Sequence, residues 1–166
     1  MIVRVITLVA GILSGATASQ FPEFSQQYTQ RLGGAVDALG EVVADFDASA
    51  AAAGLDRGAA LEQMQGTAFL DSRQADMSRT FLRYDRLRED LTVLESAGPF
   101  MRAYHATRMT DSDVARAAMD TFEPAVPLGM AGLVFAGTGF FAGVLAIWVA
   151  IRLLVWPFRR RRNAAA

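Results

Sequence analysis

Residues 124–151 contain no ionisable side chain, an uninterrupted run of 28. A helix rising about 1.5 Å per residue over that length exceeds the roughly 30 Å of hydrocarbon in a bilayer, so the chain must first of all hold this run in lipid. Trp148 and Trp156 sit toward its C-terminal end, where indoles prefer the headgroup level, and Arg159, Arg160, Arg161 and Arg162 follow at once. That flank predicts a transmembrane helix over residues 128–158 with its C-terminal end cytoplasmic. Trp156 and the four arginines are expected at the lipid headgroups, with residues 159–166 forming a basic cytoplasmic tail. Each arginine near an anionic surface is worth about 1 kcal/mol of attraction. Arg152, the one charge within the C-terminal apolar stretch, lies near enough to the same edge for its stem to snorkel there.

Residues 5–22 are uncharged as well, and their 18 positions make about 27 Å of helix, which spans with little to spare. The pattern alone supports two readings. Arg4, the apolar core and the small residues Ala16-Thr17-Ala18 are the three parts of a cleavable signal peptide, and the same stretch, residues 1–21, serves equally as an N-terminal transmembrane anchor. Gly11 and Gly15 are four apart, as are Gly139 and Gly143, with Ser19, Gly132 and Ala136 extending the small faces. In lipid, where burying apolar surface gives no drive between helices, such faces permit close backbone approach, so these four glycines are the candidate helix-packing residues. The two helices could pair antiparallel.

Charge is sorted along the chain. Residues 20–127 hold all 17 acidic groups and 10 of the 16 arginines, a balance of −7, while the remaining six arginines lie outside that stretch. Basic flanks around an acidic middle fit both termini in the cytoplasm and residues 22–127 in the periplasm of a bacterial inner membrane. The acidic balance argues against nucleic acid as a partner, since phosphate binding needs a basic face. There is no cysteine, so the exported part must fold by packing apolar helix faces rather than by disulfides.

Within the middle, Phe24, Tyr28, Leu32, Ala35, Leu39, Val42 and Phe46 recur at spacings of four and three and predict a helix that Gly54 stops. Gly33 and Gly34 interrupt it, as a bend or a place for another helix to come close. A second stripe, Met77, Phe81, Tyr84, Leu87, Leu91 and Leu94, predicts a long helix over about 71–97, closed by Gly98-Pro99. Short helices are expected over 57–65, about 100–108, and from a capping-box-like Thr110/Asp113 start to about 121. The prolines at 124 and 127 then form a rigid joint into the membrane. The expected fold is all-α: two transmembrane helices flanking a periplasmic helical hairpin with short accessory helices.

Two stretches, SQFPEFSQQYTQRLGGAVDAL at residues 19–39 and FEPAVPLGMAGLVFAGTGFFAG at 122–143, resemble an uncharacterised proteobacterial family of membrane proteins, a domain of unknown function. With the order of segments, the resemblance covers essentially the full chain. It implies a two-pass protein with an uncleaved first helix and its helical domain between the spans, and it brings no activity or functional residues with it. Gly129-Met130-Ala131 departs from the more polar approach to the second span expected of the family.

Little in the sequence points to chemistry. His105 is the single histidine, and with no cysteine to join it no metal or cofactor is expected. Asp111-Ser112-Asp113 opens like a calcium loop, but Arg116 and Phe122 stand where the loop needs Gly and Glu, and a helix start explains it. Asp45/Asp47 and Glu89/Asp90 read as solvated helix faces. The function expected is therefore non-catalytic: an accessory or scaffold subunit of a membrane complex, with membrane lipids and a protein partner or a second copy as its contacts. Phe24, Tyr28, Phe81 and Tyr84 are its expected partner face. The competing reading is a membrane-anchored periplasmic ligand sensor or transport accessory.

Overall fold

A computed structural model of the protein describes residues 1–124, 126 and 128–163, with side chains as far as Leu154. Its elements are α1 (Ile2–Ser19), α2 (Phe21–Ala52), α3 (Arg57–Glu62), α4 (Ala68–Ser96), α5 (Pro99–Tyr104), a 3₁₀ turn at Ala106–Arg108, α6 (Ser112–Asp120) and α7 (Met130–Asn163). There is no strand among the described residues. The chain divides into two compact units, Met1–Phe24 with Glu123–Ala166, and Ser25–Phe122.

In the first unit, α1 and α7 pack together, and two of the chain's helices, one starting at Ile2 and one over Met130–Leu154, are long and apolar enough to cross a membrane. Their outward positions carry Val5, Ile6, Leu8, Val9, Ile12 and Leu13 on α1 and Leu133, Phe141, Leu145 and Leu153 on α7, all exposed. Exposed apolar side chains covering both helices suit lipid as the surrounding solvent. The ring of Phe21 tilts against that of Phe135, centroids 5.4 Å apart. Of the two prolines expected to stiffen the joint, Pro124 lies in non-helical chain and Pro127 falls outside the described residues.

In the second unit, α2 and α4 lie along one another in opposite directions. Gly33 faces Leu91, Gly40 faces Tyr84, and Phe46 meets Phe81 edge-on at 5.1 Å. The core is Tyr28, Leu32, Val36, Val43 and Ala50 from α2, Phe81, Leu87 and Leu94 from α4, and Val114 and Ala118 from α6. Local chemistry sets the ends. The side chain of Thr67 accepts from the Leu70 N–H and starts α4 slightly before the expected position, and Asp56 accepts from the Ala59 N–H to start α3, which closes at Glu62, earlier than expected. Gly54 at φ 73° and Gly66 at φ 102° make the turns that a side chain would strain.

The α2 stripe is rotated from the sequence expectation. Val36 and Val43 are buried, whereas Ala35 is only half-buried and Val42 is 44% exposed. The buried positions Thr29, Val36, Val43 and Ala50 repeat every seven residues, and beside them run the buried Ser25 and Leu32 and the half-buried Leu39 and Phe46 at the same spacing, so the seam follows a heptad rather than the 3.6-residue stripe through Ala35 and Val42. Val43→Ala is expected to destabilise the protein by about 2 kcal/mol, and Val42→Ala by less than about 0.5 kcal/mol, in chemical denaturation of the full chain in detergent. Equal effects would mean that the heptad register is wrong.

Candidate functional site

The contact between α1 and α7 is made of backbone and small side chains. A Cβ added at Gly139 would stand 2.5 Å from the Ala18 Cβ and 2.7 Å from the Ser14 carbonyl oxygen; at Gly143 it would stand 2.6 Å from the Ser14 Cβ and 3.0 Å from the Ala10 carbonyl oxygen. At Gly11 it would meet Val144 Cγ2 at 2.7 Å, and at Gly15 the Ala136 carbonyl oxygen at 2.8 Å. Gly11 lies opposite Val144, Gly15 opposite Phe140 and Ala18 opposite Gly139, which fixes the pair as antiparallel. The sequence thus places glycine where one helix meets the backbone of the other, so that dispersion acts along the whole seam without a side chain to hold the axes apart. Gly137, by contrast, has open space around it.

Of the expected headgroup residues, Trp156 and Arg159, Arg160, Arg161 and Arg162 lie beyond the described side chains. Trp148 is described, and the Arg152 guanidinium stacks over its ring at 4.7 Å.

The expected partner face requires correction. Tyr28 is fully buried and Phe81 is 5% exposed, so both belong to the interior of the second unit and offer nothing to a partner. Phe81 is enclosed by Phe46 and by the Arg57 guanidinium, 4.7 Å above its ring, and Arg57 is itself held by both oxygens of Asp47 at 2.7 and 2.5 Å. Tyr84 packs over Gly40, and Phe24 is half-buried. The apolar side chains that do stand out from this unit are others, among them Phe69, Leu82, Met119 and, on α5, Phe100, Met101 and Tyr104.

An ion-pair cluster that the sequence did not suggest fastens α6 to α4. Asp111, only 7% exposed, accepts from Arg83 Nε at 3.1 Å and Nη2 at 2.9 Å, from Arg86 Nη2 at 3.2 Å, and from the backbone N–H groups of Asp113 and Val114, both at 3.2 Å. It is therefore the N-cap of α6, in place of the expected Thr110, and an anchor for two guanidiniums at once. Burial pushes its carboxyl up, but the Arg83 bond, the Val114 N–H, the Arg83 charge and the Asp113 N–H outweigh that and hold it below its ordinary value. Burial raises the neighbouring Tyr28 phenol, against the opposing pull of the Asp111 backbone. Asp90 is buried too, contrary to its reading as solvated face, and with the exposed Glu89 it receives Arg108 Nη1 at 3.0 and 2.9 Å. Every group in this cluster is already engaged by another part of the fold, which suits it to holding helices in place.

Gly33 and Gly34 leave the surface of α2 low, and an open groove of about 570 Å³ forms there, lined by Gln26, Gln30, Asp37, Glu95 and Arg102 among others. Arg102 also donates from Nε to the Leu94 carbonyl at 3.0 Å. His105 stands edge-on to Tyr104, and no group of three metal-ligating side chains occurs among the described residues.

A family model described as "Protein of unknown function (DUF2937)" matches residues 2–160. No curated protein and no solved structure matches the chain.

Proposed function

The chain belongs to the DUF2937 family, and from that premise, which brings no activity with it, we propose that it is a non-catalytic integral protein of a bacterial inner membrane, acting as an accessory or scaffold subunit of a membrane complex. In this reading α1 and α7 are the two spans and both termini are cytoplasmic. Residues 22–127 form a periplasmic helical hairpin of α2 and α4 with short helices beside it. The acidic balance of that stretch and the arginines outside it support this orientation.

The scaffold role rests on apolar surface outside the spans. Phe100, Met101 and Tyr104, exposed by 52%, 51% and 77%, form one ridge on α5, in a unit whose other large side chains are mostly packed. A half-exposed apolar ridge of this kind is what a protein partner, or a second copy, would cover. Extraction in mild detergent is expected to give a particle well above the 17.9 kDa of one chain, measured by mass photometry or light scattering. Met101→Glu with Tyr104→Glu should return it toward monomer mass, with the unfolding midpoint little changed because both side chains are at least half exposed. The intact mass of the same sample reports the topology: a chain beginning at Ser19 would leave one span and remove the two-span reading.

The groove over Gly33 and Gly34 favours a second reading, a periplasmic sensor that takes a small polar solute between Asp37, Glu95 and Arg102. A monodisperse monomer with nothing bound, stabilised by such a solute through the linkage of binding to folding, would overturn the scaffold proposal in favour of this one.

A further inference from the structure

Toward the N-terminal end of α1 the small-residue seam gives way to an open groove of about 400 Å³ between α1 and α7, within the roughly 300–1,000 Å³ usual for small-molecule sites. Its walls are Val3, Leu8, Phe140, Phe141 and Val144, with Arg4, Thr7 and Trp148 completing it. The Thr7 hydroxyl donates to the Val3 carbonyl at 2.8 Å, so its one donor is used within α1. Arg4 is then the one charged group in the lining. The Arg152 guanidinium stacks on the Trp148 that lines the same groove, so two arginines from opposite ends of the sequence bear on it, Arg4 as part of its lining and Arg152 through the indole. Neither has a carboxylate partner among the described residues.

An apolar trough with cations and an indole at its mouth matches an amphiphile with a long apolar body and a negative head. Basic pockets between membrane helices on the cytoplasmic side select anionic headgroups, and the tryptophan belongs at that depth. We infer that the groove between α1 and α7 binds an anionic glycerophospholipid, its acyl chain against Val3, Leu8, Phe140 and Val144 and its phosphate within reach of Arg4 and Arg152. The inference rests on the reading of α1 and α7 as membrane spans.

Trp148 itself supplies the probe. The full chain carrying Trp156→Phe is reconstituted in phosphatidylcholine vesicles containing, at equal mole fraction, either acyl-brominated phosphatidylglycerol or acyl-brominated phosphatidylcholine, and quenching of the remaining indole is measured. Brominated phosphatidylglycerol should occupy the groove in roughly thirtyfold preference, given two guanidiniums near the headgroup at about 1 kcal/mol each. Arg4→Gln with Arg152→Gln should remove the preference, and Arg160→Gln with Arg161→Gln should leave it in place. Equal quenching by the two lipids overturns the inference, as does a preference that survives the first double substitution or is lost equally with the second, which marks a diffuse attraction to the tail. Extraction of the membranes with alkaline carbonate separates the two levels of the argument. Release of the chain sinks the spanning reading itself, whereas a retained chain without the preference sinks only the lipid site.

Discussion

Replacing Gly139 and Gly143 by Leu is expected to abolish the pairing of α1 with α7 while leaving insertion into the membrane intact. At Gly139 even the first added atom falls 2.7 Å from a backbone oxygen, and at Gly143 it falls 3.0 Å from another, so no side-chain rotation relieves the overlap and the helices must separate. Overpacking costs about 1–3 kcal/mol at each site, and once the axes part, the dispersion along the remainder of the seam is lost with them. Two such sites are enough to reduce pairing by about a hundredfold. Because the chain has no native cysteine, cysteines introduced at Thr7 and Val144 can report pairing through a short bifunctional cross-linker. The control is Gly137→Leu, which meets open space and should cross-link as the parent does. Unchanged cross-linking in the double Leu variant would mean that these glycines do not hold the pair together.

Loss of the Asp111 carboxylate should have the largest effect in the second unit. Asp111→Ala removes the cap of α6 and leaves two guanidiniums facing a site built for an anion, and a cost of about 3 kcal/mol follows from the loss of a buried partner together with a helix cap. Arg86→Ala, at the more exposed of the two arginines, should cost less than about 1 kcal/mol. The same carboxylate makes stability depend on acid. Its value is lower in the folded chain than the ordinary 3.8, so its contribution is complete above that value and is lost as pH falls through the folded one. Denaturation midpoints should therefore fall steeply below about pH 4 in the parent chain. In Asp111→Asn the midpoint should start lower and fall less. A parallel decline in both would assign the acid sensitivity to other carboxylates.

The parts of the structure legible in the sequence are those where the solvent leaves one solution. An uncharged run long enough to span lipid, with glycines four apart, has no means of close association other than small faces, and the four glycines do lie in the seam between α1 and α7. Long helices with a clear apolar periodicity were also visible, as was the stop at Gly54. The register of α2 was not. Ala35 and Val36, like Val42 and Val43, are neighbours of similar apolarity, and only the position of α4 decides which of each pair turns inward. Asp111 was hidden for the same reason. Its arginines lie 25 and 28 residues away on another helix, so the local pattern shows a helix start and nothing of the clamp. Asp90 beside Glu89 read as a solvated pair because the arginine that covers it comes from the 3₁₀ turn 18 residues later. The convergence of Arg4 with Trp148 and Arg152 depends on the antiparallel order of α1 and α7, which spacing within either helix does not reveal.

Two kinds of seam in one chain imply two opposite patterns of tolerated variation. Between α1 and α7 the backbones touch, so drift toward larger residues is forbidden while truncation changes little. Between α2 and α4 the side chains of Leu32, Val43, Phe81 and Leu87 fill the space, so shrinkage opens cavities and modest growth can be absorbed at the half-buried edges. A saturation library sorted by residue volume should accordingly show fitness falling with size at positions 11, 15, 139 and 143, and falling as the residue shrinks below the native one at 32, 43, 81 and 87. The sign of that slope would tell, residue by residue, which seams of the chain are closed by backbone contact and which by side-chain filling.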